Sequence, residues 1–136
     1  MTTPASLPHS NSTKAVWTGR ILSGLAVLFL IFDASMKLFM LPPAVEATTQ
    51  LGYQTNTIFG IGLLQLVCLA IYLIPRTSIV GAVLWTGYLG GAIATHVRVG
   101  SPIFTHVLFL AYIAALLWAG LWLRDRRVGA LFAANR

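Results

Sequence analysis

Acid is nearly missing from this chain. Asp33, Glu46 and Asp125 are its only carboxylate side chains, and charged residues of both signs make up 9% of the sequence. That excludes an ordinary soluble surface, since average soluble domains carry about a quarter charged residues. Cysteine is scarcer still. Cys68 stands alone, so an internal disulfide and CxxC dithiol exchange are both excluded. Its place inside an apolar run makes it a small apolar filler. No serine sits in a nucleophile elbow, and the histidines follow no zinc-ligand spacing. Haem-ligand patterns and flavin motifs are missing too. No catalytic residue, metal set or cofactor motif is legible.

What is present is hydrocarbon. Apolar residues make up 57% of the chain and the mean hydropathy is +0.82. They gather in four runs, at 21–41, 57–74, 79–97 and 103–123. Each reaches or approaches the roughly 20 residues with which a helix crosses a bilayer. The sequence predicts an all-α transmembrane four-helix bundle, up-down-up-down, with the lipid bilayer as its first partner. One membrane domain spans 16–127. A polar tail, 1–15, precedes it and is expected to be disordered, with His9 a solvated residue. A short basic tail, 128–136, follows. The first run exceeds a signal-peptide core and lacks a small-residue cleavage site after it, so it reads as a retained span.

Local signals organise the runs. Ser12 or Thr13 is placed to cap a helix beginning near 15–16. Pro42 and Pro43 end the first span. The segment 43–52 predicts a short interfacial helix, opened by Pro43 and closed by Gly52, with Tyr53 at headgroup level. The links 75–78 and 98–102 are tight, which makes sequential helices antiparallel neighbours. Trp118 and Trp122 mark the final exit. Lys14, Arg20, Arg76, Arg124, Arg126, Arg127 and Arg136 fall on the face of the termini, against Lys37 and Arg98 on the other. Seven against two puts both termini in the cytoplasm. Basic residues confined to helix ends also argue against a nucleic-acid footprint. Gly87 and Gly91 on span three, with Ala111, Ala115 and Ala119 on span four, predict close helix packing; Gly60 and Gly62 do the same on span two.

The remaining ionisable groups converge on the outer end. Asp33 and Lys37 share one face of span one. Glu46 belongs to the interfacial helix, His96 and Arg98 close span three, and His106 opens span four. Intramembrane ionisable residues are functional candidates by default. An Asp33–Lys37 ionic lock, with Arg98 snorkelling to headgroups, accounts for the same residues structurally. Both readings stand on sequence alone.

Several stretches together resemble the DoxX-like family: residues 19–22, Asp33 with Lys37, the turn 50–53, residues 74–77, and the stretch 86–100. The likeness continues through Pro102, Phe104, His106 and the exit at 121–125. The resemblance implies a four-helix bacterial inner-membrane protein. It implies a link to membrane redox proteins as partners, and a quinone as the candidate ligand. The leading functional expectation is an accessory or ligand-binding membrane component with a polar site at its extracytoplasmic end. The alternatives are a proton- or small-solute-translocating carrier, or a structural subunit of a membrane redox complex. The chain does not specify its oligomeric state.

Overall fold

A computed structural model describes residues 12–133. His9, Arg136 and most of the expected N-terminal tail lie outside the described residues. Helix α1 runs Thr13–Leu38, so 13–15 are helical rather than tail. Ser12 caps it, its Oγ accepting from the Ala15 N–H at 3.2 Å. After α1 the chain turns sharply, with Met40 in a left-handed conformation at φ 53°. Pro42 then opens α2 (Pro42–Gln50) in the first turn, where its missing N–H costs nothing. Gly52, at φ +94°, ends that excursion. A 3₁₀ turn leads into α3 (Ile58–Leu73). The link to α4 (Ser78–Arg98) is held by Thr77 and Ser78, whose hydroxyls donate to the Ile71 and Ile74 carbonyls. A π-helical segment, Ile103–Val107, precedes α5 (Leu108–Arg124), and α6 (Arg126–Ala133) ends the described chain.

Four stretches are long and apolar enough to cross a membrane: Thr13–Leu38, Thr55–Leu73, Ser78–Arg98 and Ile103–Arg124. The expected four-helix architecture is observed. Helix α1 packs on α3 and α5, and α4 packs on the same two, closing a ring. Tyr72, Trp85, Leu89, Leu117 and Leu121 fill the centre, with Cys68 among them. Leu25, Leu28, Phe32, Val80, Val83 and Tyr112 stay exposed on the outer surface, as lipid-facing side chains do.

Small residues do set the helix approaches, but among those their spacing points to it is Gly62 that does so. A Cβ on Gly87 or Gly91 would meet nothing within 4 Å. Ala115 and Ala119 are exposed and Ala111 is only half-buried. The expected packing roles of Gly87, Gly91, Ala111, Ala115 and Ala119 within the bundle are therefore corrected, as is that of Gly60, beside which there is open space. The close contacts fall at Gly62, as expected, and at Gly19 and Gly81. A Cβ on Gly19 would lie 2.6 Å from the Gly120 carbonyl, closing α1 on α5. One on Gly62 would lie 3.1 Å from the Ala34 carbonyl, and one on Gly81 would overlap the Tyr72 backbone. Spacing identifies a stripe of small residues, but the rotation of the helix decides whether it meets a neighbour.

Polar bonds add to these contacts. Trp118 Nε1 donates to Thr86 Oγ1 at 2.7 Å, joining α5 to α4 rather than marking an exit. The Tyr72 hydroxyl donates to the Leu117 carbonyl at 2.7 Å and lies 2.9 Å from Ser23 Oγ, tying α3 to α5 and α1. Arg127 donates to the Pro75 and Arg76 carbonyls while its guanidinium pairs with Asp125. That clasp fixes the α3–α4 link to the start of α6, which continues as helix into the segment the sequence marks as tail.

Candidate functional site

At the end of the bundle away from the termini, α1, α2, α3, α4, the π-helical segment and the start of α5 surround a cavity of about 770 Å³. That lies within the roughly 300–1,000 Å³ range of ordinary ligand sites. Its lining runs along α1 from Lys37 to Phe29, eight residues, or about 12 Å at helical rise. The deeper part is apolar, with Phe29, Leu30, Phe109, Leu110 and Ile113. The shallower part carries the polar groups.

On one side stands Asp33. Lys37 donates to its Oδ2 from one turn along α1. Gln65 of α3 donates to the same oxygen through Nε2 at 2.7 Å. Oδ1 has no protein donor among the described residues, and the Asp33 side chain keeps 35% of its surface open. Lys37 is the more enclosed partner, at 12%. Gln65 is fully buried, and its Oε1 finds no partner. An uncompensated carboxylate at this depth would be costly, and a lysine together with an amide donor offsets that cost.

Across the cavity stand the two histidines. Their rings lie 5.2 Å apart, centroid to centroid, tilted by 47°. Ser101 Oγ sits 3.0 Å from His96 Nδ1, and Thr105 Oγ1 sits 2.8 Å from His106 Nδ1. With each Nδ1 engaged by a hydroxyl, the Nε2 of both rings is without a protein partner among the described residues. The π-helical segment carries Thr105 and His106. Its wider turn, closed by the Leu108 N–H to the Ile103 carbonyl, is a feature that recurs at functional sites.

Four of the six expected site residues thus line one cavity: Asp33, Lys37, His96 and His106. Glu46 and Arg98 do not. Glu46 is exposed on α2. Arg98 is also exposed and donates to the Leu51 carbonyl at 2.8 Å. A cation there satisfies and complements the C-terminal end of α2, so Arg98 anchors a wall of the cavity. Tyr53 joins the same assembly, its hydroxyl 3.4 Å from Thr95 Oγ1, and Thr48, Gln50 and Tyr88 add to the polar lining. Sequence reasoning missed Gln65, although a signal was present. It is the one amide inside an otherwise apolar span, and a buried amide needs partners.

Among the described residues no three His, Cys, Asp or Glu side chains converge as a metal set would. The polar side instead supplies organic hydrogen bonding: an ammonium and two imidazoles against one half-open carboxylate. No curated protein and no solved structure matches this chain. The profile of the DoxX-like family does match, over residues 21–120, and this small integral membrane protein belongs to that family.

Proposed function

We propose that the protein is an accessory, ligand-binding membrane component whose cavity takes a small amphipathic molecule of the quinone class. The observation that carries the reading is the division of one cavity into an apolar depth and a polar end holding Asp33, Lys37, His96 and His106. A ring with two oxygens fits the chemistry of that polar end. Lys37 and imidazole N–H groups suit carbonyl acceptors, while Asp33 Oδ1 suits a hydroxyl donor. The apolar depth suits an alkyl or prenyl chain. The carrier alternative needs a path onward, and Trp85, Leu89 and Leu117 are packed with almost no exposure in the bundle centre.

Seven basic residues on the face of the termini support an inner-membrane protein with both ends cytoplasmic and this cavity at the extracytoplasmic end. Cys68 is buried, so a cysteine introduced at Val99 supplies an unambiguous label site. Labelling from outside supports that orientation, and labelling only from inside overturns it. Ligand binding is tested with the full chain in detergent, using decylubiquinone as probe and decylbenzene as the control without carbonyls. Decylubiquinone should raise the melting temperature and decylbenzene should not. His106→Phe or Asp33→Asn should weaken the quinone by roughly tenfold, the worth of a good hydrogen bond. Equal shifts from both probes, or full binding by both variants, would overturn the reading.

A further inference from the structure

The opposite end of the bundle holds a second cleft, of about 470 Å³, lined by Arg20, Arg76, Arg124, Arg127 and a single acid, Asp125. The four guanidiniums are not equivalent. Arg127 is committed to Asp125 and to the Pro75 and Arg76 carbonyls. Arg124 lies over the Tyr72 ring at 5.2 Å, with its Nε 3.3 Å from Ser23 Oγ. Arg20 is exposed and only stacks on Trp17, at 5.3 Å. Arg76, exposed in the α3–α4 link, has no side-chain partner among the described residues. Two arginines therefore build the cleft and two present free donor forks into it.

The other carboxylates, Asp33 and Glu46, belong to the far end of α1 and to α2. Nothing acidic among the described residues offsets the surplus here beyond Asp125. Paired guanidinium forks match phosphate oxygens in geometry as well as charge. The level in the membrane matters as much as the charge. Exposed Trp17 and Trp122 mark this end of α1 and α5, where aromatic rings sit among headgroups. Exposed Leu131 and Phe132 of α6 continue an apolar surface beside it. A free phosphate would satisfy the forks alone, whereas a phospholipid would also lay its chains along the apolar spans.

We propose that this cleft binds the phosphate of an anionic phospholipid through Arg20 and Arg76, within a frame made by Arg124 and Arg127. Basic pockets between transmembrane helices are a recurrent form of lipid recognition. The test uses the full chain in detergent with phosphatidylcholine as background, titrated with phosphatidylglycerol, with cardiolipin, and with inorganic phosphate at matched ionic strength. Arg20→Gln and Arg76→Gln should each weaken phosphatidylglycerol about fivefold, and their combination about 25-fold. Arg98→Gln, at the other end, should leave that affinity unchanged. Arg76→Gln alone suffices if the double variant fails to fold, because Arg76 lies in an exposed link. Inorganic phosphate binding as tightly as the lipid, with the same losses in the variants, would keep the phosphate chemistry and overturn the lipid source. Affinity indifferent to Arg20→Gln and Arg76→Gln, or equal for phosphatidylcholine and phosphatidylglycerol, would overturn the site itself.

Discussion

Replacing Asp33 by alanine separates the contributions to the cavity's polar wall. The substitution removes the counter-charge of Lys37 and the acceptor of Gln65 Nε2 together. Gln65 is 1% exposed and its Oε1 is already unpaired, so the whole amide would then be buried without a partner. Stranding a buried polar group costs about 1–3 kcal/mol. Breaking an enclosed ion pair from one side costs about 3–5 kcal/mol, against about 1 or less for an exposed pair. Here Lys37 is 12% exposed but Asp33 is 35% open to the cavity, so solvent in the cavity screens the pair and its loss costs about 1 kcal/mol, as for an exposed pair. The expected total is about 2–4 kcal/mol, which at a few degrees per kcal/mol lowers the melting temperature by roughly 5–10 °C.

The geometry also dictates the rescue. Asp33→Asn keeps an oxygen for Gln65 while discarding the charge, so it should cost less than Asp33→Ala. Pairing Asp33→Leu with Lys37→Met removes both charges but leaves the Gln65 amide stranded, and recovery should be partial. Adding Gln65→Leu should restore most of the stability, because an apolar replacement of a complete polar set is close to neutral. Melts of the purified variants in detergent, followed by fluorescence or circular dichroism, read all of these. Asp33→Ala melting within a degree of wild type would refute the reasoning, since Asp33 would then be hydrated and energetically alone.

Two more perturbations bear on packing and on the clasp at the other end. Gly81→Ala and Gly120→Ala should each destabilise by about 1–3 kcal/mol by overpacking, whereas Gly87→Ala and Gly91→Ala, which meet open space, should be neutral or gain up to about 1 kcal/mol of helix propensity. The reverse ranking in the same melts would show that the GxxxG face is the packed one. The Arg127 guanidinium hydrogen-bonded to Asp125 holds that carboxyl below the usual range. A depressed carboxyl stabilises the fold above its unfolded pKa and loses that contribution as pH falls through the folded value. The melting-temperature gap between wild type and Asp125→Asn should therefore persist at neutral pH and begin to close below about pH 4. A gap unchanged by acid would place the clasp's contribution elsewhere.

The spans were legible because the signal for them is a sum over many residues. Runs of about 20 apolar side chains with prolines at their ends leave little freedom in where helices begin and stop. The short helix after span one announced itself by Pro43 and Gly52, each of which acts through its own backbone. Which face of each helix meets a neighbour was not legible. Apolar residues lie on every side of all four spans, so hydrophobic periodicity cannot set the rotation. That is why Gly87 and Gly91 read as a contact and prove to border open space, while Gly81, in no small-xxx-small pair with either, is pressed against Tyr72.

The candidate site divides along the same line. Asp33 with Lys37 could be paired from sequence because four residues on one helix fix their relation without tertiary knowledge. His96 and His106 could be placed at the same end, but their ring contact depends on the π-helical segment, whose wider turn no residue type encodes locally. Arg98 and Glu46 were grouped with them because counting charges per face resolves depth along the membrane normal and nothing across it. Arg98 turns instead to the Leu51 carbonyl, a backbone acceptor that a survey of side chains cannot register. Gln65 is the converse case, an uncharged group outside any charge count whose amide sits on the Asp33 carboxylate at 2.7 Å. In a chain with so few charges, amides, hydroxyls and backbone carbonyls supply most of the partners. A survey weighted toward ionisable residues therefore finds the end of the bundle where the cavity lies before it finds the cavity's walls.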